Sequence, residues 1–170
     1  MIRILATFYI AFLFLFHAQA VWAEETFRAW VVKVTRVSDG DSLAITGPDQ
    51  RTIRIRIYGI DCAEINQPGG KEARDYIAAL LLEQSVVVEP VEKDRYGRTV
   101  AFVYRQGRPV EELLLEQGLA WVYEKYCKMP VCDRYRDIMR GSMESEIGIW
   151  SEPDPVPPWE WRRLERLNRQ

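Results

Sequence analysis

Histidine is almost absent from this chain, since the single histidine among its 170 residues is His17, which lies in a hydrophobic N-terminal segment. The sequence that follows therefore has no Ser-His-Asp or Cys-His catalytic group, no histidine metal ligand and no histidine general base. A base that works near neutral pH must then be a carboxylate or, less readily, a tyrosine or a lysine.

An excess of positive charge is also missing, with 23 Lys and Arg against 25 Asp and Glu and a formal net charge of −2. A phosphate-bearing partner would have to be held by a few placed arginine and lysine side chains rather than by a generally basic surface. The hydrophobic fraction of 48% is that of a globular chain. The length is sufficient for one domain around a single core.

Long hydrophobic runs are confined to residues 4–16, ILATFYIAFLFLF, which follow Arg3. The run has the length of a signal-peptide core and is short for a membrane span. Small-x-small cleavage sites follow at residues 18–20 and 21–23, and the pattern does not choose between them. We predict a cleaved signal peptide over residues 1–23 and an exported protein, periplasmic or secreted, that touches the membrane only transiently. The alternative is an uncleaved anchor.

Cysteine is scarce, with three residues in the chain. Cys127 and Cys132 bracket the short segment CKMPVC, and in an oxidising compartment this spacing predicts a small-loop disulfide. The alternative is two reduced thiols. A zinc site is not predicted, because it needs more ligands than these two cysteines supply. Cys62 is left over, and we interpret it as a buried thiol rather than a reactive one.

Alternating apolar and polar residues predict five short strands. They cover residues 28–37, 42–47, 51–60, 85–94 and 97–107. Helical spacing marks residues 71–84, a short segment between Pro109 and Gly118, and a last helix from Asp133 to about Gly148. A helix between the third and fourth strands is the order of an OB-type barrel. The predicted fold class is therefore α+β, mainly β: a five-stranded OB-type β-barrel with about three helices.

The composition changes after Trp150, where four prolines predict an extended arm that ends in the basic and aromatic segment WEWRRLERLNRQ. We therefore divide the chain into a signal peptide (1–23), a barrel domain (24–152) and a Pro-rich arm with its tail (153–170).

Three segments combine carboxylates with arginines: VSDGDSLAI (37–45), IRIRIYGIDCAE (53–64) and DRYGRTVAFVY (94–104). Oxygen ligands favour calcium or magnesium. A cation held by carboxylates, with arginines nearby, suits phosphodiester hydrolysis, because the metal polarises the phosphoryl group and a free carboxylate takes a proton from the attacking water. Each segment alone is a common turn or a solvated strand face, so the prediction depends on their joint occurrence.

Together these segments resemble the staphylococcal nuclease (thermonuclease) family, whose motifs read DGDT, R…D-x-P-E and D-x-YGR. The resemblance runs from about Val31 to Trp150 and includes the closing IGIWSE. It implies a nuclease-like OB-fold and calcium-dependent hydrolysis of DNA and RNA that leaves 3′-phosphate ends. We also expect a preference for single strands, and we infer no stable protein partner.

Carried over by position, the resemblance implies a calcium ion bound by the side chains of Asp41 and Asp61 and by the backbone carbonyl of Cys62. Glu64 corresponds to the general base, or to the residue that orients the attacking water. Ala63 stands where the family has proline, a change that removes no chemical group.

The same correspondence makes Arg56 and Arg98 the phosphate-binding arginines. Arg54 lies on the same face of the predicted strand, but only the spacing from Arg56 to Asp61 matches the motif. A looser correspondence suggests three substrate-contacting residues: Arg95, Tyr96 and Tyr126.

Two other classes of protein fit parts of the pattern. One is a non-catalytic nucleic-acid-binding OB-fold module, and the other is an anchored surface protein whose C-terminal arm binds a partner. Retention of the complete acidic and arginine set favours the enzyme. The choice between DNA and RNA, the biological role, the role of the tail and the oligomeric state are left open by the sequence.

Overall fold

The computed structural model describes residues 29–47 and 49–169. The predicted signal peptide over residues 1–23 and its His17 lie outside the described residues. Within the described ranges, no helix is both long enough and apolar enough to span a membrane.

Five strands form the body of the fold, in the order β3-β2-β1-β5-β6, and a parallel pairing of β3 with β6 closes them into a barrel. A short strand pair, β4 with β8, lies beside it. This closed barrel confirms the predicted α+β, mainly β, OB-type fold. The strand bounds are β1 Trp30–Val37, β2 Ser42–Thr46, β3 Thr52–Ile57, β4 Ile60–Cys62, β5 Ser85–Lys93, β6 Thr99–Arg105, β7 Arg108–Pro109 and β8 Ala120–Val122.

Four α-helices are present in the described part of the chain, one more than the sequence predicted. The third begins at Val131 instead of Asp133, after Pro130. The additional helix forms the C-terminal tail, where Pro158 occupies the first helical turn. Proline is compatible with that position because its missing N–H would have no partner within the helix. The bounds are α1 Gly70–Leu81, α2 Val110–Glu116, α3 Val131–Glu144 and α4 Pro158–Asn168, with a 3-10 turn at Gly148–Ser151.

The alternation of side chains along β3 decides which residues of this strand face the core. Ile55 and Ile57 are almost fully buried, while Arg54 is exposed and Arg56 is half-buried. Full burial of each isoleucine contributes about 1.5–3 kcal/mol to folding. The buried isoleucines therefore fix the register that places Arg56 on the opposite face of the strand.

A tight turn between β1 and β2 lies directly against β4. A side chain at Gly40 would bring its Cβ within 2.7 Å of the Cβ of Cys62 and 2.8 Å of the Cβ of Ala73. Only glycine fits this approach, which holds the flanking residues Asp39 and Asp41 beside the end of β4.

The cysteines are arranged as the sequence predicted. Cys127 and Cys132 form a disulfide, and Cys62 is a free, buried thiol. Burial and the neighbouring charge of Asp41 raise the pKa of Cys62 well above its ordinary value, so this thiol is not activated as a nucleophile.

Candidate active site

The ends of β2, β3 and β4 open into a cleft of about 890 Å³ that is also lined by the turn after β5 and by helix α4. All of the residues singled out from the sequence as catalytic, metal-binding or substrate-contacting line this one cleft. They are Asp41, Arg56, Asp61, Cys62, Glu64, Arg95, Tyr96, Arg98 and Tyr126.

Arg56 bridges the two carboxylates that the sequence assigns to the metal. Its Nη1 atom lies 2.5 Å from Oδ1 of Asp41, and its Nη2 atom donates a 2.7 Å hydrogen bond to Oδ1 of Asp61. The register that pairs Ser42 with Arg56 explains the first contact, because Asp41 immediately precedes β2. Burial acts to lower the pKa of Arg56, but the charges of Asp41 and Asp61 outweigh it and raise that pKa.

Asp41 is held from the other side by the backbone of β4. Its Oδ2 atom accepts a 2.7 Å hydrogen bond from the backbone N–H of Cys62, and Oδ1 accepts a 3.1 Å bond from the hydroxyl of Ser42. β4 is itself fixed by antiparallel pairing, with Asp61 opposite Trp121. The two carboxylates are therefore positioned by paired backbone.

Negative charge is crowded in the cleft. Burial, with a further contribution from Asp41, raises the pKa of Asp39 to about 7. Burial also raises the pKa of Asp61 to about 6, although a hydrogen bond from Arg162 opposes the rise. Asp39 accepts a 3.1 Å hydrogen bond from the backbone N–H of Asp41, as expected for a turn-forming residue. A cation beside these carboxyl groups would favour their ionised forms.

Arg98 lies on a tight turn that Asp94 organises. Oδ1 of Asp94 accepts 2.9 Å hydrogen bonds from the backbone N–H groups of Tyr96 and Arg98, and Oδ2 accepts a 2.7 Å bond from Nε of Arg98. Burial opposes ionisation of Asp94, but the bonds from Arg98 lower its pKa. Nη1 of Arg98 reaches to 3.4 Å from the hydroxyl of Ser42, next to Asp41.

The rim of the cleft is aromatic and basic. Tyr96 and Tyr126 are 59% and 49% exposed, enough area for each ring to contact a ligand. Arg95 donates a hydrogen bond to the hydroxyl of Tyr96. Arg54 instead donates a 2.7 Å bond to the backbone carbonyl of Tyr96, so it supports the turn rather than the buried carboxylates.

One arginine that contacts the predicted carboxylates was not anticipated from the sequence. Arg162 of α4 donates hydrogen bonds of 2.6 Å to Oε1 of Glu64 and 2.7 Å to Oδ2 of Asp61. It follows Glu64 by 98 residues and belongs to no motif, so only the basic, aromatic character of the tail could have drawn attention to it. The tail packs on the barrel, with Trp159 stacked on Tyr123.

The donor set of the cleft fits a hard cation, although protein side chains do not complete its coordination. Among the described residues, no group of three or more His, Cys, Asp and Glu side chains is arranged to hold a metal. Asp41 and Asp61 offer carboxylate oxygens to a single guanidinium, at 2.5 and 2.7 Å. Calcium accepts such oxygens together with backbone carbonyls and waters, so the residues fit this ion with further ligands of those kinds.

Comparison with known proteins finds one family and several relatives that are similar to this chain. The family described as "Staphylococcal nuclease homologue" matches residues 54–152. An "uncharacterized endonuclease" of Haemophilus influenzae is 32% identical over 80% of this chain and 75% of its own length. A "micrococcal nuclease" of Shigella flexneri is 34% identical over 85% of this chain and 84% of its own. An "uncharacterized 38.1 kDa protein" of Capnoides sempervirens is 35% identical over 76% of this chain, and the match covers only 39% of that longer relative.

Proposed function

The chain belongs to the staphylococcal nuclease family and is a hydrolytic nuclease, and we propose that it is an exported, calcium-dependent enzyme that cuts DNA and RNA to leave 3′-phosphate ends. The observation that supports this proposal is the presence of Asp41, Arg56, Asp61, Glu64 and Arg98 in one cleft. Because these residues come from separate segments of the chain, their convergence is the arrangement that the family resemblance requires.

Asp41 and Asp61 would hold the calcium ion, together with the backbone carbonyl of Cys62. Bound calcium would polarise a phosphoryl oxygen and stabilise the charge that develops on it. The short hydrogen bond from the Cys62 backbone to Asp41 supports this assignment, because it keeps that stretch of backbone beside the carboxylate.

Glu64 is the carboxylate best placed to accept a proton from the attacking water. Its side chain is 34% exposed, whereas that of Asp61 is only 2% exposed. Water can therefore reach Glu64, while Asp61 is enclosed by arginines. Because the chain has no histidine after position 17, such a carboxylate is the remaining choice of base.

Arg56 and Arg98 would donate hydrogen bonds to the phosphate. A planar guanidinium matches the spacing of two phosphate oxygens and keeps its charge when buried. Arg98 already lies beside Ser42 at the mouth of the cleft. A bound cation would partly neutralise the carboxylates that Arg56 contacts. Some of the Arg56 hydrogen-bond donors could then bind the substrate phosphate.

Substrate breadth follows from the kind of contacts on the rim. The exposed rings of Tyr96 and Tyr126 can stack on any base, and such stacking does not distinguish DNA from RNA or one sequence from another. Unpaired bases are accessible to these rings, which supports a preference for single strands. Export is supported by the Cys127–Cys132 disulfide, since such bonds persist in oxidising compartments.

The proposal is tested with purified protein, a labelled single-stranded oligonucleotide and buffered calcium. Cleavage should require calcium and stop on chelation with EGTA. The products should have 3′-phosphate ends, which a polymerase can extend only after treatment with a 3′-phosphatase. Asp41→Asn should require a higher calcium concentration for half-maximal rate, by about tenfold or more. Full activity after exhaustive chelation, or equal rates with magnesium alone, would exclude the calcium mechanism.

A further inference from the structure

The C-terminal helix α4 inserts one arginine among the residues proposed to bind calcium and activate water. Nη2 of Arg162 donates to Oδ2 of Asp61 at 2.7 Å, and Nη1 donates to Oε1 of Glu64 at 2.6 Å and to Oδ1 of Asp61 at 3.2 Å. The side chain is 33% exposed and lines the open cleft.

The helix is held in this position by contacts outside the carboxylates. Trp159 stacks on Tyr123 with ring centroids 5.2 Å apart and planes inclined by 7°. Gln67 donates a 2.5 Å hydrogen bond to the backbone carbonyl of Val156 in the arm. Because these contacts anchor the arm and the first turn of α4, Arg162 can change its partner without the helix leaving the barrel.

The electrostatics of the cleft change when a cation binds. Without one, the Arg162 guanidinium is a counter-ion for Asp61 and Glu64, and these bonds compete with any metal that approaches Asp61. A divalent cation would supply that counter-charge and weaken the attraction that holds Arg162. The donors of Arg162 would then be available to another anion in the same cleft, where Arg56 and Arg98 also lie.

We propose that Arg162 is a third phosphate-binding arginine of the active site, which Asp61 and Glu64 hold until calcium binds and which then donates to the phosphodiester of the substrate. This inference depends on the proposed calcium-dependent nuclease activity and adds to it a residue from outside the barrel. It requires the substitution Arg162→Gln to act in opposite directions on calcium and on nucleic acid.

The test measures calcium affinity and cleavage kinetics on the same proteins. Arg162→Gln should bind calcium about three- to tenfold more tightly by isothermal titration calorimetry without substrate, because a competing cation has been removed. At saturating calcium, its KM for a short oligonucleotide should rise about tenfold or more, the size expected for loss of a charge-assisted hydrogen bond. Arg162→Lys should restore part of the calcium competition but not the two-pronged phosphate contact.

Arg163 provides the matched control, since it belongs to the same helix and pairs with Glu160 on the exposed surface. Arg163→Gln should match the unmodified protein in both measurements. If Arg162→Gln lowers KM, the helix is an inhibitory plug and the proposal is wrong. If both constants equal those of Arg163→Gln, Arg162 contributes neither contact and the proposal is also wrong. Absence of calcium-dependent cleavage in the unmodified protein would instead reject the proposed function itself.

Discussion

Two sites in this molecule contain buried carboxyl groups, and each site accommodates its carboxyl group in a different way. In the cleft, Asp61 is 1% exposed and is surrounded by the guanidinium groups of Arg56 and Arg162. In the core, Glu111 of α2 is 0% exposed and accepts a 3.2 Å hydrogen bond from the backbone N–H of Val103. No lysine or arginine of the described residues forms a salt bridge with Glu111.

The difference distinguishes the proposed active site from a structural site. Burial raises the pKa of Glu111 to about 8, so this side chain retains its proton near neutral pH and behaves as a neutral hydrogen-bonding group. In the cleft, the paired arginines favour ionised carboxylates at the place where a cation and a phosphate are proposed to bind. Burial alone therefore does not distinguish the proposed active site from the core; the paired arginines do.

Removing the two-pronged contacts of the cleft arginines is the strongest way to test this contrast. Arg56→Lys and Arg98→Lys should each lower kcat on the order of 10³-fold, because lysine keeps the charge but cannot reproduce a guanidinium fork in the transition state. Arg54→Lys, on the same strand, should have a much smaller effect because Arg54 bonds the carbonyl of Tyr96. Steady-state kinetics with circular dichroism as a folding control measures both.

A dispensable Arg56 together with an essential Arg54 would show that the phosphate lies two residues away along β3. Equal and small effects at all three positions would mean that the arginines bind substrate without stabilising the transition state.

A second test compares the two glutamates directly. Glu64→Gln should lower kcat by about 10²- to 10⁴-fold, the contribution usual for a general base, with calcium affinity and fold retained. Glu111→Gln should leave kcat unchanged, since amide and protonated acid present similar shapes to the core. Single-turnover rates under calcium saturation provide the measurement. Near-normal turnover in Glu64→Gln would move the base elsewhere in the cleft.

The sequence was sufficient to predict the barrel and the residues that converge in the cleft. Alternation placed Arg54 and Arg56 on one face of β3, the motif spacing to Asp61 selected Arg56, and the Asp-Gly-Asp turn located Asp41, because these signals act over a few residues. Their assigned chemical roles stay predictions until activity is measured. The C-terminal helix was missed because its prolines indicate an extended arm. The last of these prolines, Pro158, instead begins a helix, and Glu64, a partner of Arg162, lies about 100 residues earlier in the chain.

Glu111 is a second feature, in the core, that the sequence could not predict. It sits in the amphipathic segment VEELLLEQ, where acidic residues ordinarily face solvent. Both Glu111 and Glu112 are buried. Which of them lacks an arginine partner depends on how α2 meets β6, where the Val103 backbone donates a hydrogen bond to Glu111. Its neighbour Glu112 instead pairs with Arg134, at 2.5 Å. Only the packing of the two elements distinguishes these residues.

The last expected effect concerns stability and has a definite sign. In the folded protein Glu111 has a pKa of about 8, against an ordinary value of 4.5. The folded state therefore holds a proton that the unfolded chain has released between these pH values, and its stability must fall as pH rises through the interval. Relative to Glu111→Gln, the unfolding free energy of the unmodified protein should decline from pH 5 to pH 8, by at most about 1.4 kcal/mol per pH unit. Urea denaturation at several pH values measures this difference, and Glu112→Gln serves as the control that should leave the decline in place. A difference that is constant with pH would mean that Glu111 is ionised in the core, and the contrast between the two acidic sites would no longer hold.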